Sequence, residues 1–268
     1  MDLIQYIQST GAAIAAWKAS DLLREIYGDA LKPGVAQVGK ALGGVLGLGN
    51  TILFPLHLVN DRAKAALEAN MERYRERLAN EPLDKIVEVP PEIGVPIAEK
   101  LAYVSDPSLA DMFVELLAKA SLADDVGAAH PSFVNLVNSL SPDEASFLRN
   151  WVGEGSSVSV VPLASQPGDS FSRIVGQPVY PNAVKAGVAF PHYLGVYLSN
   201  LEGLGVLELS FEKQNLSPGA YDQLEATARA ELEPTLGDQR VLSFKRGLTQ
   251  VTPYGRMFLH AAGVRARS

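Results

Sequence analysis

The sequence contains no cysteine, so disulfide bonds, thiolate metal sites and a cysteine nucleophile are all excluded. No basic residue precedes Lys18, whereas a secretory signal begins with cations and continues with an apolar run. The chain start therefore lacks the pattern of a secretory signal, and we predict a cytoplasmic protein. Acids outnumber bases and give the 268 residues a net charge of -7, which argues against a surface that coats nucleic acid.

Motifs of catalytic and cofactor sites are also lacking. There is no G-x-S-x-G elbow, and the GDSF stretch at 168–171 lies far from the N-terminal strand where the esterase motif it matches belongs. The four histidines are far apart, and none pairs at metal-ligand spacing. Gly34, Gly39 and Lys40 match a phosphate-binding loop, but Ala41 replaces the hydroxyl residue that would hold magnesium. We therefore predict no catalytic, cofactor or metal site and a protein that is not an enzyme, with a hydrolase as the third-ranked interpretation.

An uncharged run extends from Ala41 to Val59, close to the roughly 20 residues that a membrane-spanning helix needs. Asn50, Pro55 and His57 interrupt it with polar or helix-breaking groups, and the apolar residues around them are too few to offset their cost in lipid. A protein interior can hydrogen-bond these groups instead. We therefore expect this run to pack within the protein and to meet a membrane only on activation.

Two sets of residues in the N-terminal helices are predicted to form a helix-packing or oligomer interface. One set consists of glycines spaced by four residues in a helix expected from Val35 to Leu53, a spacing that allows close helix contact. The other is an apolar seam with spacings of four, three and four, as in a helical hairpin or coiled coil. The two sets comprise Gly39, Gly43, Gly47, Leu67, Met71, Tyr74 and Leu78. From them we expect the protein to associate with itself as a homo-oligomer.

Further helices are predicted by their start signals. Asp106 precedes a proline at the first helical position, and Ser141 and Glu144 have the spacing of a capping box. Together with helices expected over 2–27 and in the two interface segments, they predict a helical domain over residues 1–152. Within this domain, the stretch VEVPPEIGVP is predicted to be an extended connector because prolines disfavour helix before them.

The composition changes after residue 152. Residues 153–185 are rich in glycine, serine and proline, and are predicted to form either a linker or a small strand pair. Residues 186–268 are expected to form helix, strand, helix, a hairpin with a tight turn at Arg246 and Gly247, and a last helix. That order is compatible with a winged-helix-like module. The predicted fold class is mainly α: an N-terminal helical hairpin or bundle followed by a C-terminal α+β winged-helix-like module.

Several stretches, taken in order, resemble the Abi-alpha family, the bacterial "abortive infection alpha" proteins. They are YGDALKPGVAQVGKALG, GLGNTILFPL with Asn60, PPEIGVP, SDPSLADMFVELLAKASL, HPSFVNLVNSLSPDEASFL and LTQVTPYGRMFL. The resemblance extends from about Asp21 to Ala262, except for the segment near 153–185. It implies a role in defence against phage, in which an infected cell shuts down or dies before progeny emerge. It brings no established catalytic residues.

The predicted function is antiphage defence of the abortive-infection type, exerted through protein–protein interaction, with conditional membrane disruption left open. The expected partners are a second copy of the chain and a phage or host protein that acts as trigger, and no cofactor is expected. The alternative is a DNA-binding regulator that uses the C-terminal module. Nucleic acid is nonetheless not an expected partner, because the helix DQLEATARAELE carries several acids and one arginine and would repel phosphates.

Overall fold

The computed structural model describes residues 33–47, 61–151, 156–181, 187–237 and 240–264. In these ranges the protein is mainly helical, as predicted, and its strands form one four-stranded antiparallel sheet. The chain divides into two compact units after Leu140, and Phe258–Gly263 belongs to the first unit.

The first unit is helical throughout its described part. Its helices are α1 Val35–Ala41, α2 Gly43–Gly47, α3 Asp61–Leu78, α4 Pro91–Leu101, α5 Pro107–Ala120 and α6 Ser132–Asn138, with single 3-10 turns at Leu83–Lys85 and Val126–Ala128. The helix predicted over 2–27 lies outside the described residues. α5 begins where its start signal predicted, since the Asp106 carboxylate accepts the N–H groups of Ser108 and Leu109 at 2.9 and 3.0 Å.

α5 is the centre of the first unit and contacts α3, α4 and α6. Its inward face is apolar and fully covered, with Met112 and Leu116 showing no exposed surface. Tyr74 of α3 is also completely buried, and its hydroxyl lies 2.6 Å from Ser121 Oγ at the end of α5. Ser121 in turn donates to Leu117 O at 2.7 Å. This chain of hydrogen bonds satisfies the buried hydroxyls and fixes α3 against α5.

Two predictions in the first unit are wrong. The helix expected from Val35 to Leu53 is interrupted within its described part, residues 35–47, and residues 48–53 lie outside the described ranges. Glycines at the start of α2 weaken the helix, and Ala41 O accepts the N–H of Val89 at 2.8 Å instead of continuing the helical ladder. The connector expected over 87–96 is extended only in its first part. Pro91 occupies the first turn of α4, where its missing N–H would have no helical partner anyway.

The second unit combines helices with the sheet. Its elements are α7 Pro142–Trp151, β1 Ser156–Ser165, β2 Arg173–Ile174, α8 Leu194–Gly203, β3 Leu207–Ser210, α9 Asp222–Leu236, β4 Val241–Val251 and the start of α10 Pro253–Ala261, with a 3-10 turn at Pro191–Tyr193. The strand order is β2-β1-β4-β3, and every pair is antiparallel. α7 begins with the predicted capping box: Ser141 N–H donates to Glu144 Oε2 at 2.6 Å, and Glu144 N–H to Ser141 Oγ at 3.2 Å.

Two long strands form the middle of the sheet. β1 and β4 pair along their length, from Ser156 opposite Gln250 to Ser165 opposite Val241. Residues 153–185, for which a linker and a small strand pair were both open, thus contribute β1 and β2 to the sheet. α9 covers one face of these strands, where Val160 of β1 packs in a buried cluster with the start of the α9 segment.

The predicted hairpin at Arg246 and Gly247 is wrong, because β4 continues through both residues without a turn. Gly247 lies opposite Ser159 in the ladder, and a Cβ on it would lie 2.5 Å from Phe211 Cδ1. The glycine therefore admits an aromatic ring against the strand and does not serve a turn. Without a wing hairpin, the winged-helix-like description of the C-terminal module is not confirmed.

Candidate functional site

The predicted apolar seam lies inside the first unit. Leu67, Met71, Tyr74 and Leu78 are all buried on α3, and α3 contacts α1, α4 and α5 of the same chain. Their spacing thus corresponds to a face that packs intramolecularly. Whether copies of the chain also meet through this helix stays a prediction.

The glycine set is divided between two helices, with Gly39 on α1 and both Gly43 and Gly47 on α2. A Cβ on Gly43 would lie 3.4 Å from Glu88 Oε1, so this glycine faces a carboxylate and not a helix backbone. The role of the three glycines in an oligomer interface stays a prediction. That prediction assumed one continuous helix, whereas the chain is interrupted between α1 and α2.

Glycines that allow close packing occur at two other positions, Gly34 and Gly94, which are not part of the series spaced by four residues. Gly34 has a φ of 89°, and a Cβ there would lie 2.7 Å from Arg75 O of α3. A Cβ on Gly94 of α4 would lie 2.5 Å from Val45 Cγ2. Gly34 carried a local signal, since it follows a proline and precedes a helix, whereas the tight contact at Gly94 arises only from tertiary packing.

The described ranges hold no cluster of three or more histidine, aspartate or glutamate side chains that would bind a metal ion. None of the helices described is both long enough and apolar enough to cross a bilayer. The uncharged run from Ala41 to Val59 falls mostly outside the described residues. Lys40, in the sequence that resembles a phosphate loop, donates to Leu83 O at 2.8 Å.

Two arginines at the C-terminal end of the sheet have partners within the second unit. Arg246 of β4 binds Glu225 of α9 with a 2.7 Å contact, and this carboxylate raises the pKa of the guanidinium. Arg256 of α10 donates to Val251 O at 2.8 Å. Both cations therefore already interact with groups of the second unit.

The first unit contains a cleft of about 510 Å³ between α3 and the segment that joins α4 to α5. Alanines line much of its wall, and the half-exposed ring of Tyr103 stands at its edge. Asn70 is buried in the cleft wall and donates to Leu101 O at 2.8 Å. Arg73, which also lines the cleft, pairs with Asp111 at 3.2 Å. The volume is typical of a site for a small molecule or one side chain, but its lining is better suited to an apolar group than to an anion.

The second unit presents an exposed aromatic surface, defined here as Phe190, His192, Tyr193 and Val196. Phe190, Tyr193 and Val196 are 55%, 52% and 59% exposed, respectively. The rings contact one another: the centroids of Phe190 and His192 are 6.1 Å apart and nearly perpendicular, and those of His192 and Tyr193 are 4.1 Å apart. Large apolar side chains grouped in this way on a surface are typical of a binding site for another macromolecule.

A buried carboxylate holds this surface in place. Asp143, in the first turn of α7, is 8% exposed and accepts three hydrogen bonds. Two come from the N–H groups of Ala189 and Phe190, at 2.8 and 2.9 Å, and the third comes from the Tyr197 hydroxyl at 2.9 Å. Because these donors flank the aromatic surface on both sides, Asp143 fixes the segment before α8 and the first turns of α8 to α7.

The electrostatics of this anchor favour the ionised carboxylate. Burial by itself raises the pKa of Asp143, but the hydrogen bonds from Ala189, Phe190 and Tyr197 together outweigh it and hold the pKa below its ordinary value. Burial, and next the bond to Asp143, raise the pKa of Tyr197 to about 12. Tyr197 therefore remains a neutral donor at physiological pH. No local pattern in the sequence indicated this role of Asp143, since its partners are 46 or more positions away.

The sequence matches the family model described as "Abortive infection alpha" over residues 65–262. No curated protein matches the chain. A solved structure of an uncharacterized protein from the hydrocarbon-degrading marine bacterium Alcanivorax borkumensis SK2 is similar to it at 19% identity, over 49% of this chain and 92% of that one, with a TM-score of 0.32.

The family match includes α4, α5, α7 and all four strands of the sheet in the described ranges, and it therefore spans both compact units. It also includes Asp143 and the whole aromatic surface. It confirms the family that the ordered sequence stretches indicated, and the four stretches from PPEIGVP onward lie within the matched residues. The chain belongs to the abortive infection alpha family.

Proposed function

We propose that this protein defends bacteria against phage by abortive infection, and that it acts by binding another protein and not by catalysis. Membership of the abortive infection alpha family over residues 65–262 supports the defence role. The observation that supports a protein partner is the aromatic surface at Phe190, His192, Tyr193 and Val196, whose side chains are exposed in the folded chain.

The composition and rigidity of this surface fit a binding role. Aromatic side chains are enriched among the residues that dominate the energy of protein interfaces. The bonds from Ala189 and Phe190 to Asp143 order the backbone before any partner arrives. A preordered surface loses less conformational entropy on binding, so more of the contact energy contributes to affinity.

The partner in this proposal is a phage or host protein that appears or changes during infection and serves as the trigger. Conditional membrane disruption is a second stage of the proposal, in which the uncharged run Ala41–Val59 meets the bilayer after the trigger binds. Purified protein alone should then leave dye-loaded anionic liposomes intact, whereas infected cells that carry the gene should lose membrane potential before lysis. Infected cells that stop growing with an intact membrane potential would exclude this second stage.

Phage challenge of cells with and without the gene is the main experiment, with plating efficiency and survival of infected cells as readouts. We expect fewer plaques and early death of infected cells. Phe190→Ser and Tyr193→Ser should abolish protection without lowering thermal stability, because both side chains are more than half exposed. Leu216→Ser is the matched control, since Leu216 is 91% exposed but lies outside the aromatic surface.

Two outcomes would contradict the proposal at different points. A parent protein that protects against no member of a broad phage panel would remove the defence role. Full protection by Phe190→Ser and Tyr193→Ser would keep the defence role but show that the aromatic surface does not bind the partner.

A further inference from the structure

The central strand β4 has one edge that is paired along only part of its length. On one side β1 pairs with Val241–Gln250, and on the other β3 pairs only with Leu248–Val251. β3 stops at Ser210, whose Oγ accepts the N–H groups of Glu212 and Lys213 at 3.3 and 3.2 Å, and the ring of Phe211 packs against Gly247 of β4. The first half of β4 therefore continues beyond its neighbour on that side.

The direction of the backbone groups on this edge follows from the ladder. Val160 of β1 exchanges both of its hydrogen bonds with Val179, at 3.1 and 2.8 Å, so it faces away from β4. Alternate residues of an antiparallel strand face opposite sides. Val160 lies opposite Arg246, and consequently Arg246, Phe244 and Leu242 direct their N–H and C=O groups away from β1. Among the described residues, none pairs with these three backbone positions.

Most side chains beside this edge are accessible, whereas Leu242 is buried and Phe244 is half-buried against the cluster that α9 covers. Val241 is 60% exposed, and Ser243, Lys245 and Arg246 are exposed as well. An open edge of a long strand is a template for a further strand unless its side chains oppose it. The pattern of charge along the edge therefore decides which strand fits.

We propose that this edge pairs with the same edge of a second copy of the chain, antiparallel and centred on Phe244. In this register Phe244 lies opposite Phe244 of the second copy, and Leu242 lies opposite Arg246. Between them, each Ser243 lies opposite a Lys245. The arrangement is self-complementary about a two-fold axis, as a symmetric dimer requires.

Charge favours the register centred on Phe244 over the register centred on Lys245. In the register centred on Phe244, Arg246 lies opposite Leu242 and Lys245 lies opposite Ser243, so each cation faces a neutral side chain. Residues 242, 244 and 246 of both copies then form hydrogen-bonded pairs. A register centred on Lys245 would instead place the two ammonium groups directly opposite each other, which destabilises a strand pair. In the proposed register, centred on Phe244, Ser243 of one copy and Lys245 of the other form non-hydrogen-bonded pairs, in which side chains approach most closely. A strand from a different protein is the competing occupant of this edge.

The test changes the charge at Ser243 in both directions and measures the dimer dissociation constant by analytical ultracentrifugation. The Ser243 side chain is exposed, so neither change disturbs the ladder with β1. Ser243→Glu places a carboxylate opposite Lys245 twice in each dimer and should tighten association by roughly two- to thirty-fold. Ser243→Lys should weaken it to a similar extent, and Ser243→Lys with Lys245→Glu should restore it. High salt should narrow these differences.

Ser199→Glu and Ser199→Lys are the matched controls, because Ser199 is an exposed serine on α8 away from the edge. They change the net charge equally and should leave the dissociation constant unaltered. A monomeric parent and a monomeric Ser243→Glu variant at high micromolar concentration would overturn self-pairing and leave the edge to another protein. An oligomer that ignores both Ser243 changes would overturn it too, and would place the interface elsewhere.

The absence of cysteine permits a chemical test of the register. Cα atoms in a non-hydrogen-bonded antiparallel pair are about 4.5 Å apart, within the range that a disulfide spans. Mild oxidation of a mixture of Ser243→Cys and Lys245→Cys proteins should therefore give a cross-linked dimer. Ser243→Cys alone should give little, because the two 243 positions are not opposite each other. Equal cross-linking of both samples would overturn the register. The assays use purified protein, so their outcome is independent of the phage challenge.

Discussion

Replacing Asp143 by alanine should destabilise the second unit and loosen the aromatic surface. The carboxylate accepts hydrogen bonds from Ala189 N–H, Phe190 N–H and the Tyr197 hydroxyl, all between 2.8 and 2.9 Å. Alanine removes all three bonds at once, and the α7 backbone can remain helical because alanine is a good helix former. The consequence is a loss of contacts between segments and not a change in helix content.

The magnitude can be worked from the three bonds. A hydrogen bond to a charged group contributes about 1.5–3 kcal/mol. The simple sum over three such bonds would overestimate the loss of unfolding free energy, because such contributions are not additive. Ala189 and Phe190 are themselves exposed, and water can therefore replace the carboxylate at their N–H groups. We expect Asp143→Ala to cost about 2–4 kcal/mol of unfolding free energy. Tyr197→Phe removes a single bond and should cost about 1–2 kcal/mol.

The cost should depend on pH in a defined direction. The pKa of Asp143 in the folded chain lies below the ordinary value of 3.8, so ionised Asp143 stabilises the folded state. A depressed folded-state pKa gives stability that is present above the unfolded pKa and lost as the pH falls through the folded value. The difference between parent and Asp143→Ala should therefore be constant near neutrality and shrink below about pH 4.

Urea denaturation followed by circular dichroism measures the global effect, and amide hydrogen exchange at Ala189 and Phe190 measures the local one. We expect the two amides to lose protection in Asp143→Ala and to keep it in Tyr197→Phe. Equal urea midpoints for parent and Asp143→Ala, with unchanged exchange at both amides, would refute the anchor. A difference that grows on acidification would refute the sign of the pKa argument.

Further predictions concern packing in each unit. Gly255→Ala should destabilise the second unit by roughly 1–3 kcal/mol, because its Cβ would lie 2.1 Å from the backbone oxygen of Val206. Gly203→Ala is the matched control, since a Cβ there meets nothing within 4 Å, and its thermal midpoint should equal or exceed that of the parent. Tyr74→Phe should cost the first unit about 1–2 kcal/mol in urea titrations, because it leaves the buried Ser121 hydroxyl without its 2.6 Å partner. An unchanged midpoint for Tyr74→Phe would show that water or a repacked side chain replaces this bond.

Local signals in the sequence were sufficient for the helix starts and the buried helix faces. Asp106 caps α5 as predicted, because a cap involves only residues within one helical turn. Ser141 and Glu144 close their capping box for the same reason. The seam from Leu67 to Leu78 is buried as its periodicity indicates, since the spacing of apolar residues follows the helical repeat.

Two local sequence patterns predicted the wrong structure, because contacts between distant segments outweigh the local preference. Arg246 and Gly247 have the composition of a tight turn, but the long ladder with β1 keeps them in one strand. The prolines near residue 90 indicate an extended connector, yet Pro91 is accommodated as the first residue of α4. In both cases the local preference is worth about a kcal/mol, which a ladder or a packed helix face exceeds.

The mainly helical content, the starts of several helices and the family of the chain could all be predicted from the sequence. These properties depend on residues within a few positions of one another or on ordered stretches of sequence. The anchoring of Phe190 by Asp143, and the part of one β4 edge that has no partner strand in the described ranges, became visible only in the folded chain. The first contact joins residues 47 positions apart, and the open edge depends on where a neighbouring strand stops. Such features arise when separate segments meet in the folded chain, and no local pattern of residues encodes them.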